Sequence, residues 1–592
     1  MKKGNKTIIS DKKTLQKTTK RELKSTESKN QEDDSVFRII DKLYQAKLAK
    51  FTAGISPAAL ATAHFTWMAQ LLQSPGTMMQ LSLFPTLQLQ NTLTNLVTKD
   101  LPEDGKDVRF HTENWRYYPW RFWAEQFIQL EKWCLQATSN VPGLPVHVKR
   151  TVSFRTRQIL DALSPSNFIL TNPDLFQETI RSQGQNLIRG TELAIQDIVE
   201  KLTGTPPAGV ENFIPGQHVA ITKGKVVFKN HLIELIQYEA QTKQVYKEPV
   251  LILPAWIMKY YILDLLPDNS LVSWLTKQGH TVFIVSWRNP TEEDRNLGLE
   301  DYYRLGAMAA LDAVSEIRPK TKIHLMGYCL GGTLAMITAA AMAKNHDDRL
   351  KSLTLLAAQG DFTEAGELLL FITKSEVSFL KNMMWDQGYL DTKQMAGTFQ
   401  MLRSYDLIWS KMVQDYMHGT QRGMIALLAW NADATRMPYK MHSEYLEQLF
   451  LNNDFAEGRY VLEGKHVVAK NIQVPSFVVS TEKDHVAPWK SVYKTHLLIN
   501  GDITFVLTNG GHNAGIVSEP GHEGRSYHIN ERKEDDPYIG PTTWLEEAKY
   551  EKGSWWIAWH EWLAKNSSPD KINAPKLDKK FPDAPGEYVL QK

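Results

Sequence analysis

Beyond Gln217, short β-rich runs alternate with helical stretches, and that alternation admits few arrangements other than a parallel sheet with crossover helices. The runs at 250–253, 281–287, 322–326, 352–357, 476–480 and 504–507 are short and mostly apolar throughout. Strands covered by helices on both faces must look like this, because neither side of the pleat meets water. The stretch 226–238 predicts an antiparallel hairpin at one edge of the sheet. Between the fourth and fifth core runs lies an insertion, 362–474, with a helical pattern and many Met, Leu, Tyr and Trp residues. An insertion at the carboxyl end of such a strand lies over the edge where sites form, so this one reads as a cap.

The region before the sheet obeys a different period. From 36 to 215 apolar residues recur at three- and four-residue spacing, as in 120–134 and 175–198, and Ser164-Pro165-Ser166-Asn167 and Thr171-Asn172-Pro173-Asp174 supply turn and cap signals. It reads as a mainly helical amino-terminal domain, followed by a catalytic domain over 216–592. Residues 1–35 mix Lys, Thr, Ser, Asn and Glu without apolar periodicity and are expected to form a disordered polar tail. They contain no apolar core of a secretory signal, and no stretch of the 592 residues approaches the ~18 uncharged apolar residues of a membrane span, so a cytoplasmic protein is expected. With 68 basic and 66 acidic residues the net charge is +2, which argues against a nucleic-acid binder. Two cysteines, Cys134 and Cys329, cannot make a disulfide framework and should both be free thiols. The 17 tryptophans cluster in a few segments, either as core or around an apolar ligand.

Gly327-Tyr328-Cys329-Leu330-Gly331 follows the third core run and opens an Ala-rich helix. That is a nucleophile elbow, G-x-S-x-G, with cysteine in the serine position. The glycines leave room where a side chain would strike the neighbouring strand or helix. The helix amino terminus favours a thiolate, and the Leu330 N–H is placed to bind an oxyanion. A thiol needs a base, and in the α/β-hydrolase fold an acid and then a histidine follow the nucleophile in the chain. Asp484, after the fifth run, and His512, in the loop Gly510-Gly511-His512-Asn513 after the sixth, hold those positions. His485 is a neighbour that can meet substrate or lie on the surface. A second oxyanion donor is expected after 250–253, where the N–H of Ile257 is the best candidate with Trp256 close behind, and Trp256 is also expected to bind substrate. The pairs His522-Glu523 and His560-Glu561 lack the second histidine of a zinc helix, Ser526 and Ala564 standing there, so no metal is expected.

Cysteine in the elbow favours acyl transfer over hydrolysis: thioester exchange keeps the acyl group activated, and passage from sulfur to an alcohol is downhill. At this level of detail the chain resembles the polyhydroxyalkanoate synthases, in particular the single-chain class I enzymes. The resemblance rests on Gly327 to Gly332, on Glu482-Lys483-Asp484-His485 with Pro488-Trp489, and on Gly511-His512 with Ala514-Gly515. It extends to Trp115, Ser164 to Phe168 and Asn172-Pro173, to Ser286-Trp287-Arg288-Asn289-Pro290, Trp430-Asn431-Ala432-Asp433 with Arg436-Met437-Pro438, Gly553-Ser554-Trp555-Trp556 and Ala584-Pro585-Gly586. It implies Cys329 as nucleophile, His512 as base, and Asp484 as partner of the histidine or activator of a substrate hydroxyl. It further implies a short 3-hydroxyacyl-coenzyme A substrate, no cofactor, a homodimer, and a place at the surface of cytoplasmic polyester granules. Met258 and Tyr405 depart from the family's usual Asn at each position, which bears on the acyl pocket. Two other readings compete: a thioesterase or esterase of the same fold, and a granule-coating scaffold with a vestigial elbow.

Overall fold

The computed structural model describes residues 36–52, 54–95, 107–421 and 423–592; the tail 1–35 lies outside them. Its centre is a ten-stranded sheet. In chain order the strands are β1 (Gly224–Lys229), β2 (Ile233–Tyr238), β3 (Val250–Leu253), β4 (Val282–Trp287), β5 (Ile323–Tyr328), β6 (Leu350–Leu356), β7 (Ser476–Thr481), β8 (Ile503–Thr508), β9 (Ser526–Arg532) and β10 (Lys549–Lys552). Their spatial order is β1-β2-β4-β3-β5-β6-β7-β8-β9-β10. From β4 to β8 all neighbours are parallel, and these strands are the apolar runs expected from sequence. β1 and β2 form the expected antiparallel edge hairpin. The opposite edge is also antiparallel, through β9 and β10, whose polar, partly exposed residues carry no buried-strand signature.

Two helical layers cover the sheet. On one face lies the helix Leu330–Lys344, buried from Leu330 through Met342, and its alanines let it sit close to the strands. On the other lies Trp555–Lys565, whose Trp555, Trp556 and Trp559 are fully buried. Their indoles find partners: Trp559 Nε1 donates to Thr354 Oγ1 on β6, and Trp555 and Trp556 donate to the carbonyls of Gly515 and Ile516, each at 3.0 Å. The last two bonds fasten the loop after β8 to this helix. The tryptophans of this segment are therefore core, and they act on the site only by holding its histidine loop.

The insertion between β6 and β7 folds as helices above the carboxyl ends of the strands, chiefly Lys374–Gln387, Tyr439–Glu444 and the wider π-helical segment Tyr445–Leu451. The amino-terminal helix Val36–Phe51 packs along Lys374–Gln387. Asn382 donates to Gln45 Oε1 at 2.6 Å, and Glu376 accepts from the Ser56 N–H at 2.7 Å. Among the described residues no helix is long and apolar enough to cross a membrane.

Candidate active site

Cys329 stands where β5 gives way to the helix Leu330–Lys344, with φ 53° and ψ −121°. A non-glycine residue with positive φ is strained, and such strain persists only where the surroundings over-determine it. Here two glycines make the turn possible. A Cβ on Gly327 would strike the Gly331 carbonyl, and one on Gly331 would strike the carbonyl oxygens of Leu253 and Pro254 at the end of β3. Gly331→Ala is therefore expected to destabilise the fold by about 1–3 kcal/mol, read as a lower urea midpoint at unchanged slope. An unchanged midpoint would show that the helix does not press on β3.

The two loops after β7 and β8 bring the expected acid and base together. His512 Nδ1 donates to Asp484 Oδ2 at 2.7 Å, although the residues are far apart in sequence. The carboxylate is itself held: Oδ1 accepts from the Val486 and Ala487 N–H groups at 2.8 Å, and Oδ2 also accepts from Thr481 Oγ1 at 3.2 Å. Burial opposes ionisation of Asp484, but His512 and the two amides outweigh it and hold the carboxyl below its usual range. Burial likewise opposes a charged His512, yet Asp484 and then Cys329 reverse this, raising the imidazole's proton affinity well above the ordinary value. The ring is stacked near Tyr328, centroids 5.7 Å apart, and the Tyr328 hydroxyl donates to Asn513 Oδ1 at 2.6 Å, which steadies the same loop. The arrangement sets a strongly basic imidazole beside the Cys329 sulfur.

The amides of Leu330 and Gly331 open the helix; the Cys329 carbonyl accepts from Gly332 and Thr333, so those two earlier N–H groups have no partner within the helix. Ile257 and Leu330 both line a cavity of about 120 Å3 that opens on Cys329. Trp256 is elsewhere: its ring packs against Trp287 and Tyr302 in the core, with centroids at 5.8 and 4.9 Å. The Trp256 carbonyl accepts from Thr435 of the cap, as Ile257 does at 3.1 Å, so this loop is braced from above. His485 does not line the Cys329 cavity either; it lies on a separate polar cavity of about 340 Å3 with Arg157 and Arg403.

The walls of the Cys329 cavity come largely from residues that local sequence patterns did not single out. The cap supplies Met383, Met437, His442, Tyr445 and Phe450, and the amino-terminal region supplies Gly54 and Ile55. Leucine, isoleucine, methionine and phenylalanine make the surface, and among the described residues no tryptophan lines it. The only sequence signal available was the general Met and Leu richness of the insertion.

Comparison with known proteins follows the same division of the chain. Residues 35–77 match a family described as "Poly-beta-hydroxybutyrate polymerase N terminal", and residues 106–275 match "Poly-beta-hydroxybutyrate polymerase (PhaC) N-terminus". Residues 248–519 match the alpha/beta hydrolase fold. The chain is 37% identical over 513 residues to a poly(3-hydroxyalkanoate) polymerase of Methylorubrum extorquens, covering 85% of this chain and 84% of that one. It is 38% identical over 492 residues to a poly(3-hydroxyalkanoate) polymerase subunit of Rhizobium meliloti, covering 82% and 79%. With the corresponding subunit of Cupriavidus necator the figures are 33% over 499 residues, covering 82% and 83%.

Proposed function

Because the chain belongs to the poly(3-hydroxyalkanoate) polymerase family, a family of acyltransferases, we propose that it condenses short (R)-3-hydroxyacyl-coenzyme A into polyester through an acyl group held on Cys329. The observation that carries this reading is the line from Asp484 through His512 to a cysteine, not a serine, in the elbow, beside a mainly apolar cavity. In acylation the Cys329 proton passes to His512, the sulfur attacks the thioester carbonyl, and coenzyme A leaves with that proton. In transfer a hydroxyl of a second hydroxyacyl group gives its proton to His512 as its oxygen attacks the Cys329 thioester. The sulfur leaves and regains the proton. The amides of Leu330 and Ile257 are the proposed oxyanion donors in both steps.

The competitor of the hydroxyl is water, which is far more abundant. A polymerase must therefore keep its acyl-enzyme dry, and the Leu, Ile, Met and Phe side chains that line this cavity support that reading. As the family resemblance implies, the reading includes a homodimer at the surface of cytoplasmic polyester granules. Large apolar side chains exposed on the amino-terminal helices, among them Phe65, Leu72 and Met79, support an apolar partner surface there.

Product analysis with purified protein and 3-hydroxybutyryl-coenzyme A tests the proposal. Coenzyme A release is expected to be matched by insoluble polyester and rising turbidity, with little free 3-hydroxybutyrate. Free acid formed at one per coenzyme A released would make the protein a thioesterase.

A further inference from the structure

Among the side chains that line the cavity at Cys329 is a buried histidine that acyl transfer, as written above, does not use. His442, on the cap helix Tyr439–Glu444, is 4% exposed and lines the cavity wall. Its Nδ1 is sealed from solvent without a hydrogen-bond partner among the described residues. Other buried histidines of this chain are satisfied on at least one ring nitrogen: His324 by Ser352 and Ser567, His496 by the Tyr493 carbonyl, His280 by His560. Burial alone pushes the His442 pKa down to about 4, so at neutral pH the ring is uncharged, with one N–H to donate and one lone pair to accept. Leaving such a group unpaired in apolar surroundings is costly, and a fold rarely tolerates it without a use. Met383, Leu446 and Phe450, on the same wall, have nothing to pair with it.

The missing partner has a definite chemistry. Besides the thioester itself, the acyl group of the proposed substrate carries a single polar atom, the oxygen on its third carbon, and inside this cavity that oxygen has lost its water. Tyr445, whose ring centre is 6.2 Å from that of His442, lies close enough to Cys329 for the sulfur's charge to raise its phenol's pKa, after burial has done most of the shift. His442 thus stands beside a residue that neighbours the nucleophile. We propose that His442 hydrogen-bonds the 3-oxygen of the acyl group on Cys329 and so selects 3-hydroxyacyl thioesters over plain acyl thioesters. This inference rests on the acyl-transfer reading above. A site built around a hydrogen bond to a substrate hydroxyl discriminates against the analogue lacking it, because the protein group is then left buried and unpaired.

The test is the first turnover, read as coenzyme A release, with 3-hydroxybutyryl-coenzyme A and with butyryl-coenzyme A, which lacks the hydroxyl. His442→Phe fills the space without polar atoms, His442→Met does so with a slimmer side chain, and His442→Gln keeps a donor and an acceptor. The apolar variants are expected to slow acylation by the hydroxyacyl substrate about 10- to 100-fold while leaving butyryl transfer within about threefold. His442→Gln should recover most of the loss. Equal slowing with both thioesters, an unchanged ratio, or no rescue by Gln would overturn the inference. Failure of the acyl-transfer reading has a different signature, seen in the unaltered protein: either no coenzyme A is released from either thioester, or free 3-hydroxybutyrate rather than polyester matches the coenzyme A released.

Discussion

Cys329→Ala is expected to lower coenzyme A release from 3-hydroxybutyryl-coenzyme A by about 10^4-fold or more, the scale of loss when the nucleophile of a triad is removed. The substitution leaves the fold intact, since alanine removes only the sulfur from a position where glycine neighbours and the surrounding strands set the backbone. Cys134 provides the control within the same chain. It is half-buried on the helix Trp120–Ser139, and burial, followed by the nearby Glu131 carboxylate, pushes its thiol pKa up. Alkylation requires the thiolate, so a limiting amount of iodoacetamide should label Cys329 first, with loss of activity in proportion to labelling at that site. Cys134→Ala should keep most of the activity. Substantial turnover in Cys329→Ala, or inactivation that follows labelling of Cys134, would remove the nucleophile from the scheme.

The residues proposed to carry this chemistry differ sharply in how visible they are in the sequence. Cys329, Asp484 and His512 each follow a short apolar run that could only be a buried strand, so their chain order and loop positions sufficed to place them near one another. The structure adds the 2.7 Å bond that joins the last two. The cavity wall is different. Tyr445, Leu446 and Phe450 belong to a π-helical segment, where i→i+5 bonds break the three- and four-residue spacing that identifies a helix face. His442 has no local signal either; it matters only because the cap folds back over β5 and the helix that follows. Trp256 shows the converse. Its sequence position beside the oxyanion loop pointed toward substrate, but the two residues lie in a turn, and the Trp256 ring packs against Trp287 while Ile257 lines the Cys329 cavity. The edge pair β9 and β10 was invisible for a simpler reason: exposed strands of Lys, Glu, Asn and Arg lack the apolar run that marks the central ones.

Asp484→Asn is expected to slow acylation and ester transfer alike, each by about 10^4-fold. Two roles for this carboxylate have different consequences. If it activates the acceptor hydroxyl, only transfer should suffer; if it orients and charges His512, both steps should. Its geometry favours the second role. Both oxygens are already committed, Oδ2 to His512 and Thr481 and Oδ1 to the amides of Val486 and Ala487, and the side chain is 0% exposed. No oxygen is left to face a hydroxyl in the cavity. The pH dependence of stability gives an independent reading. Asp484 is depressed in the folded state, so its contribution is present above the unfolded carboxyl value of ~3.9 and is lost as pH falls through the lower folded value. His512 is raised, so its contribution is present below the unfolded value of ~6.5 and fades as pH climbs through the higher folded one. Asp484→Asn should therefore cost most stability between those limits and flatten both flanks, as followed by urea unfolding across the range. Acylation that survives in this variant while polymer extension collapses would mean that the carboxylate works on the acceptor hydroxyl, and His512 would then need another partner to hold its proton.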